Sequence, residues 1–141
     1  MSERSTRLLR VLRKFALDRR LALQAQARAE MHKRALHQTE HRLESARNAL
    51  ATEQKLASAS ELGARMEWRE RLDAAQYSLQ PAVRQSQSEC ITASNITMLA
   101  KSREETLERI YDEAALRDAQ NRERRMIENF QRVQRRRGTL K

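Results

Sequence analysis

A single cysteine, Cys90, rules out an intramolecular disulfide and fits a reducing compartment. Two glycines, Gly63 and Gly138, and one proline, Pro81, leave almost no turn vocabulary and no glycine-rich loop to cradle a phosphate. Aromatic residues are only 4% of the chain and charged residues 34%, which argues against a compact globular core in 141 residues. β-forming residues are scattered and nothing alternates over any length, so strands are not expected. No window approaches a membrane span. The start, Met1-Ser2-Glu3-Arg4 followed by basic residues every three or four positions, does not read as a secretory signal, so a cytoplasmic location is expected.

What is present is a seven-residue repeat. Leu8, Phe15, Ala22, Ala29, Leu36, Leu43, Leu50 and Ala57 recur every seventh position and all are apolar. A repeat held that long predicts an α-helix with one seam against a partner helix. Taking the second seam line three residues on gives Val11, Asp18, Ala25, His32, Thr39, Ala46, Glu53 and Ser60, a weaker line. The first helix is expected to start near Ser5, an acceptable N-cap, and to reach about residue 60. Some fifty helical residues make a rod of roughly 75–80 Å. Its alanine-rich middle (Ala22, Ala25, Ala27, Ala29 and Ala35) should be the closest approach of the two helices.

The repeat fails after Ala57, Gly63 costs about 1 kcal/mol inside a helix, and Pro81 is better placed in a first turn than in a helix interior. Between them Met66, Trp68, Leu72, Ala75 and Leu79 form a short amphipathic segment. A second long helix is expected from about residue 83 to 137, with Ile91, Ile96, Leu99, Leu107, Ile110 and Ala114 on one side. Leu116, Ala119, Met126, Phe130 and Val133 follow on another, which predicts a discontinuity or a change of partner near residue 115. Roughly equal arms about a central break predict an all-α, two-helix antiparallel coiled-coil hairpin: first arm 5–60, short helical tip 61–82, second arm 83–137. Pairing positions that add to about 143, within a turn, sets Leu36 against Leu107, Ala29 against Ala114 and Leu43 against Ala100. A parallel homodimer is the competing arrangement, and the hairpin is preferred as a monomer.

The charge is segregated. Residues 1–20 carry seven Lys/Arg and two Asp/Glu, residues 117–141 nine and three, and residues 21–116 thirteen and fourteen. All of the net +10 thus lies in the two ends, which a hairpin brings together. Arg4, Arg7, Arg10, Arg13 and Lys14 make one basic stripe, and Arg122, Arg124, Arg125, Arg132, Arg135, Arg136 and Arg137 make another. The planar fork of Arg suits bidentate contact with carboxylate or phosphate, so an acidic protein surface, nucleic acid or anionic lipid is the expected target.

Catalytic chemistry is not legible. His37 and His41, with Glu40 and Glu44, have feasible metal-ligand spacing, but no Cys or Asp completes a set. Cys90 has no His or cationic neighbour in the sequence, so a catalytic thiol is not expected. No enzyme activity, metal, cofactor or small-molecule ligand is expected. Trp68 and Tyr77, with Leu72 and Leu79, either close a small core at the tip or form a second contact surface.

A hairpin of about 140 residues with equal arms, a central break and Arg-rich ends resembles the FliJ/YscO/HrpO-like central stalk proteins of type III secretion and flagellar export. The resemblance rests on architecture over the whole chain rather than on a short motif. It implies a non-catalytic stalk whose basic paired termini insert into a hexameric export ATPase and promote its assembly and activity. It also implies a rod that reaches the export gate or secretion chaperones, in the cytoplasm at the inner-membrane apparatus. The Arg residues of the first helix and of 122–137 then fall at the ATPase end. Two other readings compete. One is a basic coiled-coil nucleic-acid binder, against which the only aromatics among the basic runs, Phe15 and Phe130, both fit the seam. The other is a membrane-surface helix at residues 4–20, with Leu8, Leu9, Leu12 and Phe15 as its apolar side.

Overall fold

Two serines start the two helices. Ser2 Oγ accepts the Ser5 backbone N–H at 3.2 Å, and Ser58 Oγ accepts that of Glu61 at 3.4 Å. Each thereby satisfies one of the amide donors that a helix start leaves without a partner. In the computed structural model, which describes residues 2–52 and 58–139, helix α1 spans Glu3–Thr52 and helix α2 spans Ala59–Gly138. Among the described residues there is no strand, and the two helices pack antiparallel. The chain is an all-α helical hairpin. Ser2, not Ser5, is the N-cap; Ser5 sits in the first turn and is buried.

The break lies elsewhere than at residues 61–82. Helix α2 runs unbroken through Gly63 and Pro81, so the arms are 50 and 80 residues long and there is no separate tip. At Pro81 the local breaker is outweighed by the seam it interrupts, whereas Gly63 lies in an exposed stretch and costs only about 1 kcal/mol. Leu72 and Leu79 before Pro81, and Val83 and Ser86 after it, lie on the two seam lines of buried and half-buried positions, and Pro81 itself is exposed. Ala57 and Glu53 lie outside the described residues.

The register moves with the break. Ser5 bonds Asp118 and Arg19 bonds Glu104, pairs that each add to 123; Arg47 meets Asp73 and Gln76, and Thr97 meets Ala22. Positions adding to about 119–123 therefore face one another, not those adding to 143. The expected layers Leu36–Leu107, Ala29–Ala114 and Leu43–Ala100 do not share a unit of the structure, because the chain divides into one unit of Met1–Leu21 with Met98–Lys141 and a second of Ala22–Thr97.

Within each unit the seam is strictly heptad. On α1, Leu8, Phe15, Ala22, Ala29, Leu36, Leu43 and Leu50 are all buried or half-buried. The companion line is Ser5, Leu12, Arg19, Gln26, Lys33 and Glu40, whereas Val11, Asp18, Ala25, His32, Thr39 and Ala46 are exposed. A first line leaves two choices for the second, on either flank. Leu9, Leu12 and Ala16 draw the contact to the flank opposite Val11, and polar members of the line find partners across it.

On α2 the seam lines are Leu72, Leu79, Ser86, Ala93, Ala100, Leu107 and Ala114, with Gln76, Val83, Cys90, Thr97, Glu104, Tyr111 and Asp118 between them. From Ser86 to Ala100 small residues hold this seam, and the large Ile91, Ile96, Leu99, Ile110 and Leu116 lie exposed outside it. Small seam residues bring the backbones close. The Thr97 hydroxyl reaches the Ala22 carbonyl across the pair at 3.3 Å as well as its own helix at Ala93, 2.9 Å, and Ala22 is only 9% exposed. The alanine-rich middle is close-packed at Ala22, while Ala25, Ala27 and Ala35 face solvent.

Candidate interaction surface

Every one of the twelve basic residues singled out in the sequence falls in the unit built from Met1–Leu21 and Met98–Lys141, and every one is exposed. This unit contains nineteen Lys/Arg and ten Asp/Glu, a net of +9 out of the chain's +10. Polar contacts between described residues join its helices. The Ser5 hydroxyl donates to Asp118 Oδ2 at 2.5 Å, the Ser2 backbone N–H donates to the same oxygen at 3.3 Å, and Arg19 Nη1 donates to Glu104 Oε2 at 3.1 Å. Most of the arginines are left outside these pairs. Arg7 meets Glu3 one turn away, and Arg122 Nε donates to the Asp118 carbonyl at 3.4 Å.

The Ser5–Asp118 contact marks where the pairing stops. Helix α1 begins at Glu3, level with Asp118, and α2 runs on through residues 119–138 as a single helix with every residue exposed. The two basic ends therefore lie in one unit but are not equivalent. Arg4, Arg7, Arg10, Arg13 and Lys14 stand on a helix whose other side is packed, whereas Arg122 to Arg137 surround an unpaired one. At 1.5 Å per residue this overhang is roughly 30 Å long.

The expected change near residue 115 takes a specific form. The helix does not break. Its apolar residues leave the seam, and Leu116, Ala119, Met126, Phe130 and Val133 continue on a face turned away from α1. Met126 is 72% exposed and Phe130 64%. Phe130 thus does not belong to the seam, as its spacing suggests it should, while Phe15 does. Leu8, Leu9, Leu12 and Phe15 are half-buried against the seam, so the side of residues 4–20 that a bilayer would need is partly covered.

Two serine hydrogen bonds hold the Asp118 carboxyl down, first that of Ser5 and then that of Ser2, from its ordinary value of 3.8 to about 2. A carboxylate whose folded pKa is depressed contributes stability above its unfolded value and loses it as pH falls through the folded one. The stability difference between the native chain and Asp118→Asn is therefore expected to be flat above about pH 5 and to shrink between pH 4 and pH 2. Denaturation midpoints of the two proteins across that range measure it; a difference independent of pH would mean that the carboxylate plays no part. Ser5→Ala, which removes the larger of the two hydrogen bonds' effects, should make that pH-dependent loss smaller and complete it at a higher pH.

In the other unit, Arg47, Asn48, Leu50, Ala51, Leu62, Arg65, Met66 and Arg69 line a shallow groove of about 180 Å³ between the end of α1 and the start of α2. Trp68 and Tyr77 do not close a core there: they are 57% and 83% exposed, and Arg71 lies over the Trp68 ring at 5.9 Å. Leu72 and Leu79 belong to the seam instead. His37 meets Glu40 at 3.4 Å, and among the described residues no group of three His, Cys, Asp or Glu side chains is placed to hold a metal ion. Cys90 is half-buried in the seam. Among the described residues no helix is long and apolar enough to cross a membrane. No protein-family model, no curated protein and no solved structure matches the chain.

Proposed function

We propose that the chain is the non-catalytic central stalk of a type III secretion export ATPase. The basic unit enters the acidic opening of the ATPase hexamer and promotes its assembly and activity, while the rest of the hairpin reaches toward the export gate or secretion chaperones. The work is done at the cytoplasmic side of the inner-membrane apparatus. One observation carries this reading. A helical hairpin concentrates +9 of its +10 net charge in the unit that holds both termini. The register adds a detail of geometry: the leading part is the single helix 119–138, and the paired helices with Arg4 to Lys14 follow behind it.

Charge at this end should act collectively, because one exposed ion pair contributes only about 0–1 kcal/mol. Arg13→Ala alone is expected to be mild. Reversing Arg7, Arg10, Arg13, Arg132, Arg135 and Arg136 together to Glu is expected to abolish binding and stimulation of the purified export ATPase while the helical circular dichroism is kept. Reversing Arg65, Arg69 and Arg71 should leave ATPase binding nearly unchanged. The native contact should weaken with salt, since exposed charges are screened over roughly 10 Å at 0.1 M. Normal stimulation by the end-reversed protein would sink the stalk reading. Loss of affinity for DNA of any sequence, with a steep salt slope, would put the nucleic-acid reading in its place.

A further inference from the structure

The overhang combines two features that residues 4–20 do not. On α2, Met126, Ile127, Phe130 and Val133 fall within an arc of roughly 120° at 3.6 residues per turn, and all four are exposed. Arg122, Arg124, Arg125, Arg132, Arg135 and Arg136 occupy the remaining circumference, with Arg137 at the end of the apolar line. Residues 119–138 hold seven Arg and two Glu, a net of +5. No part of the described chain covers this face.

From this placement we propose that residues 119–138 of α2 are an anionic-lipid-binding helix, which lies in the plane of a bilayer surface with Met126, Ile127, Phe130 and Val133 among the acyl chains.

Charge and span choose the occupant. A net of +5 on each copy repels a second copy of the same helix, so self-association is disfavoured and an acidic surface is required. A coiled-coil partner is signalled by an apolar line sustained over three or four heptads. Here Glu123 interrupts the line between Ala119 and Met126, and only two turns of clean apolar face remain. A bilayer accepts that short face because it demands no matching groove, and anionic headgroups meet the Arg residues at its edges, whose aliphatic stems lie along the interface. The inference does not rest on the stalk reading, since a bilayer and a protein cavity would compete for the same helix.

The test is sedimentation of the full chain with vesicles of phosphatidylcholine alone and with vesicles in which about a third of the lipid is phosphatidylglycerol. A variant carrying Trp68→Phe and Phe130→Trp serves as the fluorescent reporter, with its one indole on the apolar face. The chain is expected to bind the anionic vesicles at least tenfold more tightly than the neutral ones, with a blue shift of the reporter's indole emission and quenching by brominated acyl chains. Met126→Ser with Phe130→Ser should lower that affinity at least tenfold and leave helicity unchanged, as both side chains are solvent-exposed. Leu17→Ser with Leu21→Ser, on the outer side of α1, should leave it as it was. Binding equal for both vesicle types overturns the proposal. Salt-sensitive adsorption without blue shift or quenching does so too, since the apolar face then stays in water. So does absence of vesicle binding in a chain whose Met126→Ser, Phe130→Ser variant loses the export ATPase, an outcome that assigns the face to a protein.

Discussion

Leu43→Asp is expected to remove much of the helical circular dichroism at room temperature, while Arg42→Asp leaves it nearly intact. Leu43 is half-buried on the line that joins Leu36 to Leu50, and Arg42, one residue away, is exposed. Full burial of a Leu contributes about 1.5–3 kcal/mol, of which a half-buried one retains part. The substitution adds the cost of holding an unpaired carboxylate against an apolar contact. A hairpin has only one partner helix at each position, so no second layer compensates. An exposed substitution such as Arg42→Asp is ordinarily within about 0.5 kcal/mol of neutral. Urea unfolding followed at the helical band gives both values, and equal effects would remove position 43 from the seam.

Pro81→Ala is expected to do the reverse and raise the thermal midpoint by roughly 4–8 °C, taking 2–4 °C per kcal/mol for a chain near this size. Pro81 lies inside α2 and is exposed, so it lacks the N–H that would bond the Tyr77 carbonyl and makes no packing contribution that Ala forfeits. Proline in a helix interior costs about 3 kcal/mol relative to Ala. The more flexible unfolded chain of the Ala variant returns about 0.4–1 kcal/mol of that, leaving on the order of 2 kcal/mol. The substitution also separates two placements of the break. With a break at residues 61–82, Pro81 would open a new helix, a position it favours, and its removal would be neutral or destabilising. A midpoint that does not rise would restore that break.

Local residue chemistry was enough for the elements and not for their pairing. The line from Leu8 to Leu50, the scarcity of Gly and Pro, and the crowding of Arg at both ends determined that the chain is helical, has one seam and keeps its charge at the termini. Helix propensity and period act within a few residues, so they can be read in order along the chain. The place where the two helices part was not local. Gly63 and Pro81 are the strongest breakers in the sequence, yet the helix continues through both, and at Pro81 buried and half-buried seam positions lie on either side. Helix α2 starts at Ala59 instead, capped by the Ser58 hydroxyl.

The register and the overhang were decided by contacts that sequence spacing does not reveal. Ser5 with Asp118 and Arg19 with Glu104 are 113 and 85 residues apart, and both are polar pairs on lines where an apolar pattern is the natural thing to seek. The large apolar residues of α2 misdirect in the same way. Ile91, Ile96 and Leu99 look like a seam, but small Ala93 and Thr97 take that place, where the Thr97 hydroxyl reaches the Ala22 carbonyl across the close-packed pair. The pairing numbers then fix the rest. With α2 starting at Ala59, α1 is spent at Asp118, and residues 119–138 stand alone with Met126, Phe130 and Val133 in solvent. The sequence alone determined that these residues are apolar, helical and ringed by Arg. Only the tertiary structure decided that α1 does not cover them, because coverage depends on where two helices of unequal length are aligned.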